Sequence, residues 1–145
     1  MSKSMKQNLV QVITWSTVAI GVLLVFTRPD TIQNWGDNRT KTLLLALLFL
    51  IGFGTDFVVR LMEKSKRFGF IKDERDREIQ HKSLEIGYVG IILYIFVLTI
   101  TLYAIYEAAG ALPIGWVWFI AYTTIVTANL IAGITSLFMY RKHGS

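Results

Sequence analysis

The sequence contains no cysteine. That excludes a disulfide scaffold, thiol redox chemistry, iron–sulfur clusters and thiolate zinc sites. It has two prolines, Pro29 and Pro113, and two histidines, His81 and His143. Charge is missing over long stretches. There is none from Asn8 to Thr27, from Ile86 to Tyr106 or from Leu112 to Tyr140, and only Asp56 and Arg60 lie between Thr42 and Met62. No Gly-x-Ser-x-Gly elbow, phosphate-binding glycine loop, His-Glu-x-x-His pair or dinucleotide fingerprint occurs. No catalytic residue, metal ligand set or cofactor is therefore expected, and an enzyme is the less favoured class.

What is present is apolar. Of 145 residues 53% are hydrophobic and 17% charged, against about 45–50% and about 25% in a soluble domain. Each uncharged run reaches the roughly 20 residues with which an α-helix, rising about 1.5 Å per residue, crosses about 30 Å of hydrocarbon. The expected fold is all-α: one integral membrane four-helix bundle over residues 1–145, with spans at about 8–27, 42–62, 86–106 and 114–139 and a charged loop at 63–85. The first run is too long for a signal-peptide core and no small-x-small cleavage site follows it, so it reads as a retained helix.

The positive charges orient the spans. Arg28, Arg39 and Lys41 lie in the first loop and none in the third; every other lysine and arginine lies in the tails or around the second loop. The positive-inside rule puts both termini and the second loop in the cytoplasm of a multi-pass protein of the cell (inner) membrane. The net charge of +5 then belongs to the flanks of apolar spans, not to a nucleic-acid-binding face, and no nucleic-acid partner is expected. Both prolines fall in outer loops, where they start or end helices without breaking one.

Asp56 is the one acid well inside a span, a position that is costly to maintain and functional by default. Arg60 follows one turn later on the same face. An ion pair fixing helix depth is preferred to a proton or cation site, because a paired arginine keeps the carboxylate ionised. Asn129, Thr14 and Tyr94 reach a similar depth in the other spans. With Asp56 they are expected to form a polar layer, with packing preferred to ligand binding. Asp56, Arg60 and Asn129 are the candidate intramembrane polar site. Thr124, Ala128, Ala132 and Ser136 recur every fourth residue, with Gly52 and Gly54 as further small positions. Such a stripe serves the bundle interior or a homodimer, the first being preferred.

The segment from Lys72 to Glu85 carries most of the remaining charge. Asp73, Glu74 and Asp76 suit the positive end of a helix dipole, and Asp73–Arg77 and Glu78–Lys82 are acid-first i,i+4 pairs. One helix is expected from about Asp73 to about Tyr106, its first third in the cytoplasm. Glu74, Glu78, His81 and Glu85 share a face; a solvated surface is preferred to half of a di-iron site, which needs a second Glu-x-x-His motif.

The order apolar hairpin, basic exit, Asp73-Glu74-Arg75, then Arg77-Glu78-Ile79 running into a third span resembles a group of small prokaryotic four-helix membrane proteins. These share an Asp-Glu-Arg signature between spans two and three (DUF2178-type). The resemblance covers about thirty residues together with chain length and span count. It implies a bacterial or archaeal cell membrane and transfers no catalytic residue. Two functions follow from the residues. The first is non-enzymatic association with a membrane or cytoplasmic partner, docked on Asp73, Glu74 and Arg75 within residues 72–85. The alternative is a small dimeric transporter or channel using Asp56. The expected partners are the lipid bilayer, a second copy of the chain and a cytoplasmic protein.

Overall fold

The computed structural model describes residues 3–37, 39–64 and 74–142. They form four long helices: α1 (Lys3–Phe26), α2 (Arg39–Lys64), α3 (Glu74–Tyr106) and α4 (Ile114–Lys142). Short 3-10 turns lie at Trp35–Asp37 and Glu107–Ala109, and no strand occurs among the described residues. All four helices are long and apolar enough to cross a membrane. In hydrocarbon every peptide group must be bonded within its own segment, and a run of apolar residues achieves that as a helix.

The helices outrun the apolar stretches that announce them. α1 begins at Lys3 and α4 continues to Lys142, because polar flanks with no proline extend a helix at little cost. α3 has 33 residues, about 50 Å at about 1.5 Å per residue. Its acidic first turn, Glu74 and Asp76, faces the positive end of the helix dipole. Asp73 lies outside the described residues. Pro113 immediately precedes α4, and its carbonyl accepts from the Trp116 amide at 3.0 Å.

Neighbouring helices run antiparallel. The start of α1, the end of α2, the start of α3 and the end of α4 lie at one end of the molecule, the terminal end. The first and third connections lie at the other, the turn end. α1 packs against both α2 and α4, and α4 packs against α3. Among the described residues α2 and α3 make no comparable contact, so the bundle is open along that side. The apolar stretch of α1 is 28% buried and that of α3 only 6%; α1 is the central helix and α3 the outermost. Val89, Leu93, Phe96 and Ile100 of α3 are exposed, as suits a face turned to lipid.

The core follows α1. Trp15, Val18, Val22, Val25 and Phe26 form a buried stripe against Leu45 and Phe49 of α2 and Val126 of α4. In a bilayer such contacts gain from close fit and dispersion rather than from escape from water. The α3–α4 seam uses small residues: the backbone of Gly87 lies so near Ala128 and Ala132 that a side-chain carbon there would sit 3.4 Å from the Ala132 methyl. At this seam the four-residue stripe of α4 serves packing within the chain.

Candidate functional site

Polar side chains gather at the terminal end around a cavity of about 130 Å³. All four helices line it, and α2 and α3 make no comparable contact with each other among the described residues. Arg60 and Gln80 on its walls are exposed, so the cavity opens to the outside.

Asp56 is set by α1. Its Oδ1 accepts from Gln11 Nε2 and its Oδ2 from Trp15 Nε1, both at 3.1 Å. Gln11 and Trp15 are one helical turn apart and share a face. Gly52, one turn before Asp56, leaves room for the Trp15 ring: a side-chain carbon there would lie 3.1 Å from the ring. Phe49 and Phe53 hold that ring edge-on, with centroids at 6.0 and 5.4 Å. The indole N–H is thereby fixed toward the carboxylate. A carboxylate has about four lone-pair sites, so these two bonds leave acceptor capacity.

The expected partner does not take these places. Among the described residues Asp56 and Arg60 form no ion pair; Gln11 and Trp15 bond the two carboxylate oxygens, and Arg60 is exposed. Both residues nevertheless line the cavity, as does Asn129. Asn129 Nδ2 donates to the Ile125 carbonyl at 2.8 Å, which spends a donor and leaves its side-chain oxygen. Ser136, two turns further along α4, also lines the cavity. It is 6% exposed, and its hydroxyl makes no hydrogen bond among the described residues. Gln7 Nε2 is buried without a partner among the described residues.

The single polar layer expected from depth divides in two. Asp56 and Asn129 belong to the cavity. Tyr94 instead donates to Thr123 Oγ1 at 2.5 Å, closer to the turn end, and Thr14 does not line the cavity. Depth along a helix was readable; the face was not.

A second cluster at the same end was not anticipated. Asp76 accepts from Tyr140 OH at 2.6 Å through Oδ1 and from Ser4 Oγ at 2.9 Å through Oδ2. One carboxylate thus ties the starts of α1 and α3 to the end of α4. Beyond this clamp the first turns of α3 stand in water: Glu74, Arg75, Arg77, Glu78, His81 and Lys82 are exposed. Lys82 Nζ donates to Glu78 Oε1 at 2.7 Å, and that bond pushes the Lys82 pKa above the ordinary lysine value. His81 Nδ1 lies 3.3 Å from Glu85 Oε1. Among the described residues no group of three histidines or acids is arranged to hold a metal ion.

Toward the turn end the bundle interior is filled by rings. Trp35 stacks on Phe26 (centroids 5.0 Å, planes 5° apart) and on Trp118 (5.9 Å, 19°), while Phe49 meets Tyr122 at 5.0 Å. The polar cavity is therefore a dead end within one chain. One clue to its other walls was present in the sequence: Ser4, Gln7, Asn8, Gln11 and Trp15 recur at three- and four-residue steps, a polar stripe on an otherwise apolar helix.

Comparison with protein-family models, with curated proteins and with solved structures finds no match to this chain.

Proposed function

We propose that the chain is a multi-pass protein of a prokaryotic cell membrane, with both termini and residues 63–85 in the cytoplasm. It acts by association with a membrane or cytoplasmic partner rather than by catalysis. Four membrane-length helices and the distribution of basic residues support the placement. The resemblance to the DUF2178-type proteins supports the prokaryotic membrane.

The observation that carries the reading is the start of α3. It presents Glu74, Arg75, Arg77 and Glu78 to water while Asp76, among them, is bonded to α1 and α4. A charged surface already fixed in place loses little further freedom when a partner binds, and charges of both signs favour one partner over others. The test is quantitative capture of partners from membranes in mild detergent. Reversing charge at Asp73, Glu74 and Arg75 should remove specific partners while the protein stays in the membrane. Retention of every partner by the triple variant defeats this reading. Reporter fusions at either terminus should report the cytoplasm; a signal from outside the cell overturns the orientation.

A second reading is a small dimeric transporter or channel using Asp56, favoured by the convergence of Asp56, Arg60 and Asn129 on one cavity. Because rings fill the turn end of a single chain, the path would run along a homodimer seam. Proton or monovalent-cation flux in proteoliposomes that survives Asp56→Asn unchanged removes it.

A further inference from the structure

Asp56 and Arg60 sit one turn apart on α2 and line the same cavity, yet among the described residues they are not paired with each other. Asp56 has acceptor capacity beyond its bonds to Gln11 and Trp15. Arg60 is a fixed cation with several N–H donors and no acceptor. The cavity also holds unmatched groups of both kinds. Gln7 Nε2 is a buried donor without a partner among the described residues. Ser136 is 94% buried (6% exposed), and its hydroxyl has no partner among the described residues. Helical serines commonly bond the carbonyl four residues back, as Ser83 does here to Ile79 at 2.7 Å; Ser136 does not. Buried polar groups are rarely left unmatched, and the exception here, Gln7 Nε2, asks for an explanation such as a bound molecule.

A cation alone would answer Asp56 and leave Arg60 and Gln7 unmatched. An anion alone would answer Arg60 and lie against Asp56. We propose that this cavity binds a small zwitterion of the α-amino-acid type, its ammonium on Asp56 and its carboxylate on Arg60. Ser136 and Asn129, which also line the cavity, are further partners for the ammonium end, and Gln7 Nε2 for the carboxylate. Asp56 rather than Asp76, which also lines the cavity, takes the ammonium because it stands one turn from Arg60 on α2. Size agrees with the charge pattern. A cavity of about 150 Å³ accepts a benzene, so about 130 Å³ has room for a molecule the size of glycine or alanine. The proposal concerns binding, and it stands whether or not the ligand is transported and whether or not α3 docks a partner.

Trp15 reports the site, since its indole N–H is bonded to Asp56. In the full chain, ¹⁵N-labelled and held in lipid nanodiscs, four indole resonances are expected, and Trp15→Phe identifies the one from Trp15. Glycine should shift that resonance saturably, with half-effect at about millimolar concentration or below. The resonances of Trp35, Trp116 and Trp118 should stay in place. Methylammonium and acetate, each carrying one half of the charge pattern, should bind at least about tenfold more weakly. Asp56→Asn and Arg60→Gln should each abolish saturation by glycine, and Ser136→Ala, which keeps the helix intact, should weaken it several-fold. Absence of a saturable shift overturns the proposal. So does methylammonium or acetate alone matching glycine, which would mean a site for one sign of charge. So does an unchanged glycine response in Arg60→Gln, which would leave that side chain to the lipid headgroups.

Discussion

At the turn end the helices are joined by ring contacts: Phe26, Trp35 and Tyr122 pack together, with the exposed Trp118 stacked on Trp35 and Tyr122, and the first connection lies across the start of α4. At the terminal end the same helices are joined by hydrogen bonds that side chains of α1 and α4 donate to Asp76 and Asp56, around a cavity instead of a packed core. Ring contacts add many small dispersion gains and depend on shape. A hydrogen bond to a carboxylate is directional, and its strength depends on how dry its surroundings are. The dry end should therefore hold most of the stability, and the wet end most of the capacity to bind.

The largest effect should come from removing the central ring of the dry end. Trp35 is 8% exposed and lies between Phe26 and Trp118. Trp35→Ala is expected to cost about 3–5 kcal/mol, the range for truncating a buried large ring, as read from unfolding in mixed micelles titrated with denaturing detergent. The Trp15 indole resonance should stay in place. A loss below about 1 kcal/mol, within the range of an ordinary single substitution, would move the stability of the bundle elsewhere.

Next in size is Gly115. Its amide donates to the Ile32 carbonyl at 3.2 Å, and a side-chain carbon on Gly115 would collide with the Ile32 backbone. No flexible side chain can swing aside here, so the loop itself must shift. Gly115→Ala is expected to cost about 1–3 kcal/mol, the usual range for overpacking. Its damage should appear in the Trp35 resonance before any change at Trp15.

These two substitutions also show what could and could not be read in the sequence. Helix number follows from where charge is absent, and the long α3 from the acidic start that precedes its apolar run, whereas the helix ends run past the apolar stretches. The convergence of Asp56, Arg60 and Asn129 was partly legible, since position along a helix converts directly into depth. Rotation about the helix axis is set by packing that no single sequence displays. For that reason Tyr94 was assigned to the layer of Asp56 when it bonds Thr123. The Asp56–Arg60 pair failed for a related reason: spacing on one helix says nothing of competitors on another, and Gln11 and Trp15 on α1 are those competitors. Asp76 was read only as a favourable charge at a helix start. Its ties to Ser4 and Tyr140 cross 72 and 64 residues of chain, beyond any local pattern.

At the wet end the expected effects are smaller and can be separated by a double-mutant cycle. Tyr140→Phe removes a hydrogen bond to Asp76 and should cost about 1.5 kcal/mol, the lower range for a bond to a charged group. Ser4→Ala should cost less, about 0.5–1 kcal/mol, because a serine hydroxyl near a chain end finds water easily. The two bonds share one carboxylate, so the double variant should depart from additivity by about 0.5 kcal/mol or more. Strict additivity would mean that Asp76 is not acting as one clamp on α1 and α4.

The smallest effect compares two glycines two residues apart on α2. Gly52 faces the Trp15 ring, whereas nothing lies within 4 Å of a side-chain carbon placed on Gly54. Alanine is favoured over glycine in a helix interior by about 0.5–1 kcal/mol in water. Chains unfolded in detergent keep much of their helix, so at Gly54 the gain should shrink to a few tenths of a kcal/mol. Gly52→Ala starts from the same propensity gain but presses on the ring that holds the Asp56 carboxylate. Its stability change should be close to zero or slightly negative, and it should displace the Trp15 indole resonance, while Gly54→Ala leaves that resonance untouched. If both variants move it, or neither does, the indole is not seated against α2 at Gly52, and the link between the dry packing and the wet cavity is broken at that residue.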